Sequence, residues 1–286
     1  MSAIEFVLAL ALAKGLVVLG LLLLMRMGLV SFGQGLYFGL GAYAAALLAH
    51  RAGIADGALM MLAGTACAAA VAAVLGLLLA RYRGIFFGML SLAFSMILYG
   101  LLVKSSALGS TDGFQVQVRR FAGFALAAGA ERRVFFAVSV VATLLLAYLL
   151  HRYLASHWGR LSAAIRDNEL RVEYLGASVY RVVYVNYIVA AALAGLGGAL
   201  AALAVGHVDP ETTYWTTSGE FVFIAILGGS GHVAAPFVAA AIFEALRTVA
   251  NQYAPNVWQM ALGAAMLAII MFLPGGLWTL VRKRTA

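Results

Sequence analysis

The chain has 286 residues, of which 64% are hydrophobic and only 10% are charged, and its mean hydropathy is +0.99. A water-soluble core needs far less apolar surface, so the composition excludes an ordinary soluble domain and predicts an integral membrane protein made of helices. The net charge of +8 does not indicate nucleic-acid binding, because the basic residues lie at the ends of apolar segments, where they set orientation in the membrane.

Apolar segments along the chain predict an all-α, polytopic membrane protein with about eight or nine transmembrane segments, some of them broken or re-entrant. The chain is predicted to form one transmembrane domain, residues 1–286. The apolar segments cover residues 3–24, 31–50, 57–80, 84–103, 133–152, 182–205, 219–228 with 233–250, and 258–280.

The first segment does not read as a cleavable signal peptide, because it lacks a basic start and Glu5 and Lys14 interrupt its apolar pattern. Lys14 lies near the middle of this segment and either snorkels to the interface or faces a partner subunit. Cys67 lies inside an apolar segment and is interpreted as a packing residue.

Basic residues predict the orientation. Arg81 and Arg83 mark one cytoplasmic turn, residues 151–181 with their arginines mark a second, and residues 282–284 mark a cytoplasmic C-terminus. Alternation then places the N-terminus, Asp56, residues 104–132 and the loop with Asp209 and Glu211 on the outer side. Segment 104–132 carries several basic residues against this rule, but the reverse orientation would place the two strongest basic clusters outside.

Two glycine-rich breaks look alike and each precedes an Ala-rich helix. They are Gly33-Gln34-Gly35 and Gly229-Ser230-Gly231. Interrupted segments in corresponding positions of two halves indicate a transport pathway near the middle of the membrane. Small residues also serve close helix packing, so each glycine is open to both interpretations.

Residues 158–176 form a polar, charge-rich island of about one helix between two long apolar stretches. Leu161, Ala164, Ile165 and Asn168 lie at helical spacing, which predicts an amphipathic helix ending at Gly176. Such a helix either lies on the lipid interface or docks a soluble partner. The mixed sign of its charges favours a partner, since a lipid-seeking face would be nearly all basic.

Motifs for catalysis and cofactors are absent from the sequence. There is no GxxxxGK[ST], HExxH, paired cysteine or GxSxG pattern. His207, Asp209 and Glu211 alternate in an outer loop, but Pro210 already explains a turn there, so no metal is predicted. Glu244 and Arg247 have the three-residue spacing of an ion pair on one helix face. We therefore expect no catalytic residue, metal or cofactor on this chain.

The island and its neighbours resemble a known family, the inner-membrane permeases of branched-chain amino acid ABC importers of the LivM/LivH type. The island residues that match the family's coupling loop are Gly159, Arg160, Ala164, Ile165, Arg166, Asp167, Glu169, Glu173, Leu175 and Gly176. The resemblance continues through residues 31–48, 81–98, 110–114, 186–203, 208–212, 225–231 and 272–277. It covers nearly the whole chain in order, and the start of the fourth segment favours the M-type.

The resemblance implies a multi-pass permease in the bacterial inner membrane that forms the translocation pathway of an importer for branched-chain or related small amino acids. It implies a second permease subunit, two cytoplasmic ATPase subunits that carry ATP and Mg²⁺, and a periplasmic solute-binding protein. The coupling helix would dock on one ATPase, with Arg166, Asp167 and Glu169 as the contacts that orient it. Relatives that carry urea, amides or other small organic solutes leave the solute open.

For the substrate pathway we propose polar groups and glycine breaks near the middle of the membrane, where backbone N–H groups of the first break can meet a carboxylate. The residues are Gly33, Gln34, Gly35, Tyr37, Ser91, Ser95, Thr111, Asp112, Gly113, Gly229 and Gly231. Ser91 and Ser95 alternatively bridge helices. The rival functions are a stand-alone secondary transporter, which would leave the island unexplained, and a membrane-embedded enzyme, for which no reactive constellation is found.

Overall fold

A computed structural model of the chain describes residues 3–118, 120–125 and 131–253, with single residues and short pieces beyond. The predicted segment 258–280 lies largely outside the described residues. The helices are α1 (Ala3–Met25), α2 (Gln34–Ala52), α3 (Gly57–Leu79), α4 (Gly84–Lys104), α5 (Glu131–Ala155), α6 (His157–Asp167), α7 (Glu169–Tyr174), α8 (Val179–Val205), α9 (Trp215–Gly228) and α10 (Ala235–Tyr253). Each apolar segment predicted before residue 251 is helical, which confirms the all-α polytopic class.

The centre of the molecule is α1, packed against α8 and α10. Its residues Leu16 to Leu19 have no exposed surface, because the helix is apolar on every side and is covered on every side. α8 passes beside it, and Gly20 and Gly197 lie at the contact between the two helices. The first apolar segment is therefore the core of the fold and not a peripheral anchor.

α2 crosses α8 at a distance that only glycine permits. A Cβ on Gly41 would overlap the carbonyl oxygen of Gly195, and a Cβ on Gly198 would overlap that of Phe38. Gly64 on α3 meets Gly41 in the same layer. Without a hydrophobic driving force between helices in lipid, such close backbone contact is a principal source of association.

The outer ring of helices turns large apolar side chains outward. Five helices in the described part of the chain are long and apolar enough to span a membrane: α1, α3, α4, α5 and α8. Only 22–28% of the apolar windows of α3, α4 and α5 is buried, against 78% for α1. Exposed residues such as Leu62, Ile85 and Val141 are therefore positioned to face lipid.

Long-range contacts place the connecting segments at two ends, in the arrangement that the basic residues predict. At one end, Arg83 and Glu169 join the two arginine-bearing turns through an ion pair; we call this the cytoplasmic end. At the other, strand β1 (Phe114–Gln115) pairs with β4 (His207–Val208), and β2 (Arg120–Phe121) pairs with β3 (Phe124–Ala125). These two-residue strands tie the outer loops together and were not predicted.

At the outer end, the side chain of Asp56 forms hydrogen bonds with two separate elements. Its carboxylate accepts hydrogen bonds from the backbone N–H groups of Ala58 and Leu59, as an N-cap of α3, and from those of Ala122 and Gly123 in the β2–β3 hairpin. Burial raises the pKa of this carboxyl, but the four hydrogen bonds together outweigh burial and hold it below its usual value.

Replacing Gly198 by alanine should destabilise the protein by about 1–3 kcal/mol, because the new methyl group overlaps the backbone of Phe38 and forces α2 and α8 apart. Gly100→Ala is the matched control, since no atom lies within 4 Å of the methyl group it adds to α4. Thermal unfolding in detergent measures both. Equal melting temperatures for the two variants would contradict the crossing described here.

Candidate functional site

The cytoplasmic island, residues 158–176, folds as two helices and not as the single coupling helix that was predicted. α6 ends at Asp167 and α7 begins at Glu169. Between them Asn168 is extended, and its side-chain oxygen accepts a hydrogen bond from the N–H of Arg171 at 3.0 Å. The prediction was wrong at Asn168 because an asparagine side chain competes with the helical backbone for hydrogen bonds. We call residues 157–176 the coupling segment.

One buried amide joins the inner face of α6 to two membrane helices. Nδ2 of Asn186 on α8 donates to Oγ of Ser162 at 3.0 Å, and its Oδ1 accepts from the hydroxyl of Tyr153 on α5 at 2.9 Å. Gly159 lies so close to Leu154 that a Cβ would overlap its backbone. These contacts hold α6 to both α5 and α8.

The predicted coupling residues divide according to burial. Gly159 and Ile165 are buried, Ala164 and Glu169 are half-buried, and the remainder are exposed: Arg160, Arg166, Asp167, Glu173 and Gly176. Glu169 was predicted to contact a partner, but its Oε1 lies 2.8 Å from Nε of Arg83 in the α3–α4 turn. In this structure Glu169 holds α7 to the other cytoplasmic turn.

α7 presents apolar side chains to the surface. Leu170, Tyr174 and Leu175 are 64%, 88% and 77% exposed, whereas Val172 on the opposite face is buried. An exposed apolar face of this kind fits both interpretations left open by the sequence, contact with a partner protein and contact with the lipid interface. Beside it Arg166 and Asp167 line a crevice with Arg26 and Ser230.

The first glycine break is closed by hydrogen bonds in this structure. The N–H of Phe32 donates to Oγ of Ser91 at 3.1 Å, and the N–H of Gly35 donates to Oγ of Ser218 at 3.0 Å. Gly33 is bonded in turn to Ser31. The expectation that these N–H groups are open to a substrate carboxylate is therefore not met here, because neighbouring serines already accept them.

The predicted pathway residues near this break join helices to one another. Ser91 also donates to the carbonyl of Gly88, and Ser95 donates to the carbonyl of Thr213 at 2.8 Å. The hydroxyl of Tyr37 is 2.6 Å from that of Tyr187. The helix-bridging interpretation of both serines is the one that their contacts fit.

Gln34 is the exception at this break. It has no exposed surface, and neither its Oε1 nor its Nε2 has a hydrogen-bond partner among the described residues. A buried amide without partners is unfavourable by about 1–3 kcal/mol, so its presence in an apolar region needs a reason beyond packing.

The other predicted pathway residues lie elsewhere. Thr111, Asp112 and Gly113 belong to an outer turn, where Gly113 abuts Val208. Gly229 and Gly231 follow the C-terminal end of α9. That end lies roughly 15 Å along the helix from Ser218, whose hydroxyl accepts the hydrogen bond from Gly35. The structure thus does not bring the two glycine breaks together.

A cavity of about 680 Å³ lies between α1, α2, α8, α9 and α10, and the outer loop at residues 207–212 forms part of its wall. None of the predicted pathway residues lines it. Its size is in the range of small-molecule sites. No group of His, Cys, Asp or Glu side chains in the described ranges is arranged to hold a metal ion.

Four of the charged side chains that line this cavity lie together, whereas Asp209 and Glu211 line it from the outer loop. Lys14 forms ion pairs with both Glu220 and Glu244, which settles a role that the sequence left undecided. Arg247 lies 3.4 Å from Glu220 and 3.8 Å from Glu244, as the three-residue spacing of the latter pair predicted. Glu220 was missed, although an acid within the apolar segment 219–228 is itself a signal of a functional site.

Comparison with known proteins identifies relatives over nearly the whole chain. The family described as "Branched-chain amino acid transport system / permease component" matches residues 3–271. The chain is similar to the high-affinity branched-chain amino acid transport system permease protein LivM of Escherichia coli K12, at 29% identity over 280 residues, and to that of Salmonella typhimurium LT2, at 28%. These matches cover 90% of this chain but 65% of each relative's length. No solved structure matches the chain.

Replacing Gln34 by leucine should leave folding stability unchanged or raise it by about 1 kcal/mol, because two unpaired buried polar atoms are removed at nearly constant volume. Ser31→Ala is the control, since Ser31 is equally buried but accepts a hydrogen bond, and its loss should destabilise by about 1 kcal/mol. Thermal unfolding ranks the two. A lower melting temperature for Gln34→Leu than for Ser31→Ala would contradict the unpaired state of the amide.

Proposed function

The chain belongs to the branched-chain amino acid ABC transporter permease family, and we propose that it forms the translocation pathway of an importer for branched-chain or related small amino acids. The family consists of transporter permeases and not of enzymes, and the helices are those of a multi-pass membrane protein. We place it in the bacterial inner membrane, with residues 1–286 as one transmembrane domain.

The observation that carries this proposal is the coupling segment. It is a surface element with an apolar outer face, formed by Leu170, Tyr174 and Leu175, in a chain whose other exposed apolar surface is mostly on the long membrane helices. The sequence of the whole chain contains no GxxxxGK[ST] nucleotide-binding motif. We infer that two cytoplasmic ATPase subunits bind ATP and Mg²⁺, and that one of them receives this face in a groove.

Contacts on the inner face of the coupling segment connect it to the membrane helices. Asn186 links α6 to α5 and α8, and the Arg83–Glu169 ion pair links α7 to the turn between α3 and α4. An ATPase that moves the segment would thus act on four membrane helices together. Rigid helices that rock around a central site provide the alternating access that import requires.

The proposed importer contains further protein subunits. A second permease subunit would pair with this chain in the membrane, and a periplasmic solute-binding protein would deliver solute to the outer end. The outer loops, which β1 and β4 join and of which β4 lines the cavity, provide a surface for that delivery. Amino acids are the favoured solutes because the cavity combines charges of both signs with apolar walls.

Replacing Leu170 and Tyr174 together by aspartate should abolish co-purification of the ATPase subunits and reduce solute uptake at least about tenfold, because charges would enter an apolar docking surface. Insertion should be unaffected, since both side chains are exposed. Tyr82→Asp in the α3–α4 turn is the control, because it also replaces an exposed apolar side chain by aspartate at this end, but outside the coupling segment. Normal uptake by the double variant would refute the docking assignment.

A further inference from the structure

Four charged residues that line the cavity lie outside the coupling segment. Lys14 lies about 17 Å along α1, roughly half the length of the helix, and meets acids from α9 and α10. Ionised groups at this depth are unfavourable in an apolar medium and usually serve a pathway. Here four of them, Lys14, Glu220, Glu244 and Arg247, surround one end of a cavity of about 680 Å³. We call them the charge cluster.

The charge cluster is balanced in sign. Two cations face two anions, so the formal charge of the group is zero. A solute with a net charge that entered the cluster would leave one of its charges uncompensated, which is unfavourable. A zwitterion adds one charge of each sign and keeps the balance. Its ammonium can pair with an acid of the cluster while its carboxylate pairs with a base.

Exposure distinguishes two layers within the cluster. The side chains of Lys14 and Glu244 are 8% and 5% exposed, whereas those of Glu220 and Arg247 are 18% and 39% exposed. Arg247 is also the more distant partner, at 3.4 Å from Glu220, while Lys14 directly contacts both acids. The Glu220–Arg247 pair is therefore the one that a solute can reach and separate. Lys14 and Glu244 stay paired beneath it.

Part of the cavity wall is apolar. Leu10, Phe38, Ala42, Ala201 and Val205 line it, and they come from α1, α2 and α8. A pocket with a few fixed polar groups and apolar walls orients a ligand by its polar end and selects it by its side chain. This wall suits an aliphatic side chain, and the cluster suits the two charged groups attached to it.

We propose that Glu220 and Arg247 form a transit site for an aliphatic α-amino acid. The solute would separate this ion pair, so that Glu220 binds the α-ammonium group and Arg247 binds the α-carboxylate. The guanidinium offers a bidentate fit to a carboxylate. This assignment deepens the proposed function and rests on it. The alternative is a permanent brace, in which the cluster only holds α1, α9 and α10 together.

Protection of an introduced thiol distinguishes these accounts. Thr248 lines the cavity one residue beyond Arg247, so Thr248→Cys, in a Cys67→Ser background, places a thiol beside the site. The complete transport complex in membranes is treated from the outer side with an impermeant maleimide. L-leucine should slow labelling at least about threefold, while leucinol and 4-methylpentanoate, which lack one charged group each, should not, since a single charged group satisfies only half of the site.

Controls separate local protection from general closure. Ser106→Cys, exposed in the outer turn and not among the cavity-lining residues, should be labelled at the same rate with and without leucine. Glu220→Gln in the Thr248→Cys protein should raise the leucine concentration needed for protection about tenfold. Glu211→Gln, at the same cavity but outside the charge cluster, should leave it unchanged. Asn251→Cys is a second reporter if Thr248→Cys does not fold.

Leucine uptake by the same preparation keeps the two proposals apart. Uptake without protection would overturn the transit site and leave the permease function standing. Protection without uptake would support the site and overturn import. Loss of both would overturn both. Equal protection by leucine and its two analogues would also overturn the site, because neither charge would then be recognised.

Discussion

Polar and charged groups inside an apolar medium must find their partners within the protein, and the structure is organised around that constraint. Lys14 is satisfied by two acids from distant helices, and Asn186 by groups of α5 and α6. The N–H groups that the first glycine break would leave open are taken by serines. Each such bond crosses between helices, so the bonds that satisfy polar groups also fix the arrangement of the helices.

Gln34 and the charge cluster are arrangements of polar groups that this constraint does not explain. Gln34 is buried without partners. The charge cluster gathers four ionised groups beside a cavity where apolar residues would be more stable. Close glycine contacts between α2 and α8 form a rigid frame beside them. The proposed function requires both features, polar groups between the membrane helices and a surface segment in contact with those helices.

The sequence predicted the helices well because spans of apolar residues are long and their ends carry arginine, glycine or aspartate. The predicted grouping of the arginine-bearing turns at one end agrees with the ion pair between Arg83 and Glu169, and which side of the membrane that end faces stays a prediction. The break at Asn168 was not predictable from apolar spacing, since a side-chain hydrogen bond decides it. The charge cluster was only partly predictable, because Lys14 and Glu220 are 206 residues apart and only the tertiary fold shows that they meet.

The pathway residues were the least predictable part for a related reason. Glycine and serine serve helix packing and substrate contact equally well, and only three-dimensional neighbours separate the two uses. Ser91 and Ser95 join α4 to the segments that precede α2 and α9, whereas Glu220, which was not predicted, lines the cavity. Ionisable residues within apolar segments were the better signal, since each one requires a partner or a purpose.

The central claim is that this chain works as the membrane subunit of an ATPase-driven importer. Gentle purification of the tagged chain from its native membrane, with mass spectrometry of what accompanies it and reconstitution of the product, tests that claim most directly. The account predicts recovery of two ATPase chains and a second permease, with uptake that depends on ATP. Recovery of this chain alone, transporting solute on an ion gradient after reconstitution, would contradict it.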